Sequence, residues 1–197
     1  MQERLRIFID YWNFQLNWNE RAGEARCDWL ALPEALTKVT ASMLDGGSVR
    51  FDGAHIYASV DHHNENLLNW LETFLERQRG FIVKTARLVR RQRSIRCPAC
   101  GLELETCPEC GEPYTISSTK GLTTSMVCDI MALAYDRAVD IPLIVSSDTE
   151  LVPLMRRLLD RGLKVIHAGW RDGGSELSRE AWASIDLDAM IPNLVRL

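Results

Sequence analysis

The sequence predicts an α/β domain on a mainly parallel sheet, and three observations carry that prediction. In Ile141 to Arg161, IPLIVSSDTELVPLMRRLLDR, the residues Ile141, Leu143, Ile144 and Val145 form an apolar run of strand length that halts at Ser146, Ser147 and Asp148. A short, nearly continuous apolar run suits a strand buried on both faces. Leu151, Leu154, Met155, Leu158 and Leu159 then recur at helical spacing, with Arg156, Arg157, Asp160 and Arg161 opposite. The N-terminus ends its first strand in the same way, Leu5, Ile7, Phe8 and Ile9 running into Asp10. Between these stretches strand-like and helix-like segments alternate with little slack, the signature of parallel α/β organisation.

Taken in order, the segment Tyr11 to Arg26 reads as a polar and aromatic loop, with Trp12, Phe14 and Trp18 set among Asn13, Asn17 and Asn19. Such aromatics either stack unpaired bases or plug the loop onto the core. Asp28 is placed to cap a helix running to about Leu44, with Leu30, Leu32, Leu36 and Val39 as its core residues and Asp45-Gly46-Gly47 as its stop. Val49 to Val60 reads as the second strand, followed by Asp61, His62, His63 and Asn64. Leu67, Leu68, Leu71, Phe74 and Leu75 mark a helix that Gly80 closes, and Phe81 to Val89 is the third strand.

The rhythm then breaks. Arg87, Arg90, Arg91, Arg93 and Arg96 fall in an acid-free stretch just before CPACGLELETCPECG. Cys97, Cys100, Cys107 and Cys110 form two C-x-x-C pairs, each followed by glycine, the spacing of a closed tetrahedral Zn2+ site. A four-cysteine ribbon of this kind is structural, and its expected task is to hold the arginine arm. Cys27 and Cys128 read as ordinary small apolar residues. Lys120-Gly121 precede a helix from Leu122 to Arg137 in which Met126, Val127, Ile130, Leu133 and Ala134 outline an apolar face; Asp129 lies beside that face, where an unpaired carboxylate is costly. The final strand is Leu163 to Ala168, and Trp170 to Ser175 is a loop without an assigned task.

With 197 residues and 46% hydrophobic content the chain can bury one core and a small appendage. One domain over 1–197, interrupted by a ribbon over 97–111, is therefore expected. A net charge of -4 excludes a generally basic nucleic-acid coat, so a polyanion must meet a local patch or a metal. The opening apolar run is too short for a signal peptide, and no apolar stretch is long enough to span a bilayer, so the reading is a cytoplasmic protein without a membrane partner.

Asp10 and Asp148 each end a strand, and in an open α/β sheet ligands bind outside the carboxyl ends of the strands. Two carboxylates in one crevice repel unless a cation lies between them, which implies a divalent metal. A competing reading makes Asp148 a helix cap.

The residues FIDYWNF at 8–14, the Lys120-Gly121 pair with Asp129 in the following helix, and SSDTELVPLMRRLLDRGLKVI at 146–166 together resemble the NYN domain family of the PIN-like nuclease group. The closing SELSREAWASIDL is similar to the family's C-terminal segment. The resemblance covers nearly the whole chain apart from the ribbon. It implies a PIN-like three-layer sandwich and a metal-dependent ribonuclease site. Carried over by position, Asp10, Asp129 and Asp148 would hold Mg2+ or Mn2+, with Glu150 near by. Asn13 and Lys120 would contact substrate, and Arg87, Arg90, Arg91, Arg93 and Arg96 would track the backbone of single-stranded RNA. The chain departs from the family pattern at Thr123, where many members carry Asp, and at Ser147 and Glu150, where Gly and Asp are usual. The alternative is a catalytically weak or inactive RNA-binding module on the same fold; phosphatase chemistry is a third option. Homodimerisation is left open.

Overall fold

The computed structural model describes residues 2–44, 48–61 and 63–196, with backbone alone at 117 and 118. The helix stop expected at Asp45 to Gly47, and His62, lie outside the described residues.

In chain order the elements are β1 (Glu3–Asp10), α1 (Tyr11–Ala22), α2 (Leu32–Ser42), β2 (Val49–Val60), α3 (Glu65–Asn69) continued by a π-helical turn (Trp70–Leu75), and β3 (Phe81–Arg87). Next come the short strands β4 (Val89–Gln92), β5 (Ile95–Arg96), β6 (Glu103–Leu104) and β7 (Thr115–Ser118). The chain closes with α4 (Leu122–Tyr135), β8 (Ile141–Val145), a 3-10 turn (Thr149–Leu151), α5 (Val152–Asp160), β9 (Ile166–Gly169), α6 (Ser175–Glu180), β10 (Ala183–Asp186), a second 3-10 turn (Asp188–Met190) and α7 (Ile191–Leu194).

Six strands form one sheet in the order β10-β9-β8-β1-β2-β3, and every adjacent pair is parallel. The chain winds outward from β1 to β3, then returns to build β8, β9 and β10 on the other side of β1. The direction of winding therefore reverses between β1 and β8, which is where such sheets open a crevice.

Side chains alternate across a strand, and the core divides accordingly. Leu5, Ile7 and Ile9 of β1 pack with Phe14 and Trp18 of α1, Leu36 of α2, Leu71 and Leu75 of the π turn, and Leu194 of α7. Phe8, Tyr57 and Ile144 face the opposite way, onto Met126 and Ile130 of α4, Met155 and Leu158 of α5, and Leu177 of α6. Helices thus cover both faces, giving the helix-sheet-helix layering of a PIN-like three-layer sandwich. Among the described residues no helix is long and apolar enough to cross a membrane.

Several local expectations are corrected. Tyr11 to Ala22 is a helix rather than a loop: the Asp10 side chain accepts from the Asn13 amide as its N-cap, and Tyr11, Phe14 and Trp18 bury along one face. Phe14 and Trp18 are wholly buried, so they plug the core, whereas Trp12 stays half-buried. Asp28 Oδ1 accepts from the Leu30 and Ala31 amides at 3.0 and 3.1 Å, so it caps a turn ahead of α2, and Leu30 is exposed. Strand β3 stops at Arg87, because Leu88 interrupts it before β4 pairs with β7 outside the main sheet. Cys128 is exposed on α4 rather than packed, while Cys27 is buried and its thiol is pushed up to about 12 by that burial.

Candidate active site at the strand reversal

The site is built from what terminates β1 and β8. Asp10 closes β1 and caps α1, its Oδ1 accepting from the Asn13 amide at 3.3 Å. Asp148 follows β8 and caps the 3-10 turn, its Oδ1 accepting from the Glu150 amide at 2.9 Å. Both are caps, yet each keeps its second oxygen out of the capping bond. Ser146 links them: its Oγ accepts from the Asp148 amide at 3.1 Å and lies 3.5 Å from Asp10 Oδ2. Asn13 clamps the two strand ends together, its Oδ1 accepting from the Ser147 amide at 3.0 Å across 134 residues of chain.

His167 supports the same loop from below. It is fully buried, and burial lowers its pKa, so it is neutral at physiological pH. Its Nε2 stands 2.7 Å from the Ser146 carbonyl oxygen, which can only accept. Nε2 therefore carries the proton, and Nδ1 accepts from Ser178 Oγ at 2.9 Å. The C-terminal SELS segment thus buttresses the aspartate loop.

Asp10 and Asp148 face one small cavity of about 20 Å3, closed by Tyr57, Leu122, Thr123, Met126, Ser146 and Leu151. That is room for one water-sized species. A wider cleft of about 300 Å3 opens beside it, lined by Asp10, Trp12, Ser59, Glu150, Thr119, Gly121 and the start of α4 at Leu122, Thr123 and Thr124. No lysine, arginine or histidine lines either space among the described residues. Burial holds the Asp10 carboxyl above the usual carboxylate range; the Asn13 amide opposes that rise and the nearby Asp148 charge adds to it. The pair is partly buried, and among the described residues no cationic side chain lines the spaces beside it.

Asp129 takes a different place from the one expected. Its Oδ2 accepts from the Tyr57 hydroxyl at 2.7 Å, and Lys84 donates to Oδ1 at 2.7 Å. These bonds, with the Lys84 charge, outweigh burial and hold Asp129 below the usual range. It lines neither space around Asp10 and Asp148, touching that site only through Tyr57. Thr123, by contrast, lines both. Among the described residues no three His, Cys, Asp or Glu side chains are gathered closely enough for a ready-made metal site. The donors present for a hard cation are the Asp10 and Asp148 carboxylates with the Ser146 and Thr123 hydroxyls, a set of oxygen ligands that suits Mg2+ or Mn2+.

Lys120 is exposed at the cleft rim beside Gly121, whose φ of 80° starts α4. Of the arginines, Arg87 ends β3, Arg90 and Arg91 lie on β4, and Arg93 and Arg96 lie farther along the arm; all are exposed, and Arg90 pairs with Asp61 at 3.0 Å. The antiparallel pair β4 and β7 forms the stalk of this arm and returns the chain to Thr119 and the cleft.

At its far end the two C-x-x-C pairs fold alike. The Cys97 amide donates to the Leu102 carbonyl and the Gly101 amide to the Cys97 carbonyl, at 2.8 and 2.9 Å. Cys107, Glu112 and Gly111 repeat the pattern, with both bonds at 2.8 Å. Amides of Cys100 and Ala99 lower the Cys97 thiol, and those of Cys110 and Glu109 lower Cys107, which favours thiolates. Each pair therefore folds as a tight turn that brings two thiols near each other, and among the described residues the four cysteines are not gathered into one group.

The fold and site define a doubly wound α/β domain whose acidic crevice lies at the strand reversal. The chain belongs to the NYN domain family, which matches residues 4–188 and has a PIN-like nuclease fold. A crystal structure of a protein of unknown function from Vibrio parahaemolyticus is similar, with a TM-score of 0.57 and 18% identity over 99% of this chain and 97% of that one. At that identity the likeness speaks for the fold. No curated protein matches the chain.

Sequence reasoning missed Tyr57, Lys84, Ser146 and His167 as supports of the site. Tyr57 and Lys84 sit on strands remote in sequence from Asp129, with no local pattern to pair them. His167 stands within an apolar strand, where buried histidine was the available clue.

Proposed function

We propose that the chain is a metal-dependent ribonuclease that hydrolyses phosphodiester bonds of single-stranded RNA at the cleft between Asp10 and Asp148. The observation that supports this most is the small space lined by both Asp10 and Asp148, beside a wider cleft that Asp10 also lines, with no lysine, arginine or histidine lining either among the described residues. A bound Mg2+ or Mn2+ would supply charge to polarise the phosphate and lower the pKa of a bound water.

The chain's own groups do the rest. Asp10 and Asp148 would hold the ion, with the Ser146 and Thr123 hydroxyls as further oxygen donors. Glu150, at the mouth, is placed to accept a proton from water. The first turn of α4 lines the cleft, and the amides of a helix's first turn favour a phosphate oxygen. Asn13 positions the Asp148 loop, and Lys120 meets phosphate at the rim. Arg87, Arg90, Arg91, Arg93 and Arg96 extend a basic track along the arm. In this reading the two cysteine pairs close around one structural Zn2+, and residues 97–111 form an insertion in a single domain.

A second reading, an RNA-binding module with little turnover, is favoured by Asp129 being held by Lys84 and Tyr57, which leaves Thr123 where a third carboxylate would strengthen the site. Cleavage of end-labelled single-stranded RNA by metal-stripped protein resupplied with Mg2+ or Mn2+ separates them. The nuclease reading expects metal-dependent cutting that falls at least about 100-fold in Asp148→Asn, in keeping with loss of a group that stabilises transition-state charge. RNA retained but uncut under every metal would establish the binding module instead.

A further inference from the structure

Beside the acidic cleft lies a wider cavity of about 690 Å3, within the range of small-molecule sites. Its walls carry Tyr11, Trp12, Trp29, Trp70 and Phe74. Tyr11 stacks on Trp29 with ring centroids 5.3 Å apart, and Trp70 stacks on Phe74 at 6.4 Å. Phe74 is 39% exposed, so its ring is accessible from the cavity. Trp12 is the shared wall: it lines both this cavity and the cleft that holds Asp10 and Glu150, and its indole N–H is fixed on the Ser59 carbonyl.

Polar groups sit among the rings. Gln15 accepts from the Trp29 indole at 3.2 Å and donates to Asn19 Oδ1 at 2.7 Å, which holds an ordered amide pair in the wall. Arg26 and Arg196 lie at one side, kept adjacent because the Arg196 amide donates to the Arg26 carbonyl at 2.8 Å. Of the two acids there, Asp28 spends Oδ1 on backbone amides, and Glu24 borders the arginines.

We infer that this cavity is a nucleobase pocket: it takes one unpaired base of the RNA strand adjacent to the scissile phosphate, with Arg26 and Arg196 meeting the backbone phosphate beyond it. The inference rests on the proposed ribonuclease reading and deepens it. Aromatic rings, an ordered amide pair and two neighbouring arginines are the chemistry that recognises a single-stranded nucleotide. A buried apolar peptide would need neither the arginines nor continuity with the acidic cleft. The same arrangement explains how an acidic protein places single-stranded substrate: a base anchored past Trp12 draws the adjoining phosphate across Asp10.

The test is binding of a fluorescein-labelled ten-nucleotide single-stranded RNA, with and without one abasic position walked along it, measured by anisotropy in EDTA. Wild type is compared with Phe74→Ala and Arg26→Ala, both at exposed side chains, and with Asp148→Asn. Phe74→Ala is expected to weaken binding about tenfold, the scale of one lost base stack. One abasic position should produce the same loss, and the two losses should not add. Arg26→Ala should reduce the salt dependence of binding. Asp148→Asn, which removes a negative charge from the metal-free cleft, should bind at least as tightly as wild type. RNA that binds equally well to Phe74→Ala, or that tolerates an abasic site at every position, overturns the pocket even if the protein cuts RNA. Base-dependent binding without cleavage would keep the pocket and overturn the nuclease reading. Quenching of tryptophan fluorescence by an apolar peptide and not by RNA would assign the cavity to a protein partner and overturn the inference.

Discussion

Asp10 is asked to be ionised in a place that disfavours ionisation. Its folded pKa is raised above the ordinary value, chiefly by burial and further by Asp148. Between the ordinary and the raised value the folded chain binds more protons than the unfolded one, so stability falls as pH rises through that window and stays lower above it. Asp10→Asn removes the charge while keeping the cap on α1, since asparagine caps as well as aspartate. In EDTA at neutral pH this variant is expected to melt above wild type, whereas adding Mg2+ should raise only the wild-type melting temperature, the stabilisation growing with ligand excess to about 2.7 kcal/mol at a hundred times Kd. Differential scanning fluorimetry with and without Mg2+ decides it; a variant that melts lower in EDTA would mean Asp10 is a stabilising residue. At this scale the sequence was readable for Asp10 and Asp148, because each breaks an apolar run. Asp129 was readable only as a carboxylate needing a partner, which is Lys84, 45 residues away on β3.

Among the elements, the ends of β1 and β8 matter most, and Asn13 joins them. Asn13→Ala would leave the Ser147 amide without its acceptor, at a cost of about 1–2 kcal/mol in a partly buried setting. Urea denaturation should register that loss, and cleavage should fall by more than the unfolded fraction explains, because the Asp148 loop is released from α1. Unchanged stability and rate would show that the clamp is redundant with His167. Most strands were visible as apolar runs bounded by polar turns. Helix α1 was not, because aromatic and amide residues suggest a loop by composition, while the burial of Tyr11, Phe14 and Trp18 along one face decides for a helix. Strand β10 was missed as a strand: Ala183 to Asp186 is an edge strand with only Ile185 buried, so it lacks the apolar run that marks the others.

Across the whole molecule, the pH dependence of stability is set by buried groups on different strands. Burial brings His55 down to about 4, with the Arg6 charge helping, and burial also lowers His167. For a histidine whose folded pKa lies below the ordinary 6.5, the unfolded chain binds more protons, so stability present above about 6.5 is lost as pH falls toward 4. A melting-temperature profile should slope downward over that interval, and His55→Gln should flatten it; an unchanged slope would place the titration elsewhere. The alternation of strands and helices was legible in the sequence, but the strand order was not. Periodicity says which face of a strand is buried, while the reversal between β1 and β8 depends on where α4 crosses the sheet after the arm. The aromatic cavity was hidden for the same reason, since its rings come from α1, the turn before α2 and the π-helical turn.

The most direct measurement is Mn2+ binding to zinc-replete protein by electron paramagnetic resonance, for wild type, Asp148→Asn and Asp129→Asn. One Mn2+ site that is lost in Asp148→Asn and kept in Asp129→Asn is the predicted result, because of these two aspartates Asp148 alone lines the small space with Asp10. Mn2+ binding that survives Asp148→Asn, or that disappears in Asp129→Asn while the protein stays folded, would contradict the assignment of the metal to the Asp10–Asp148 cleft.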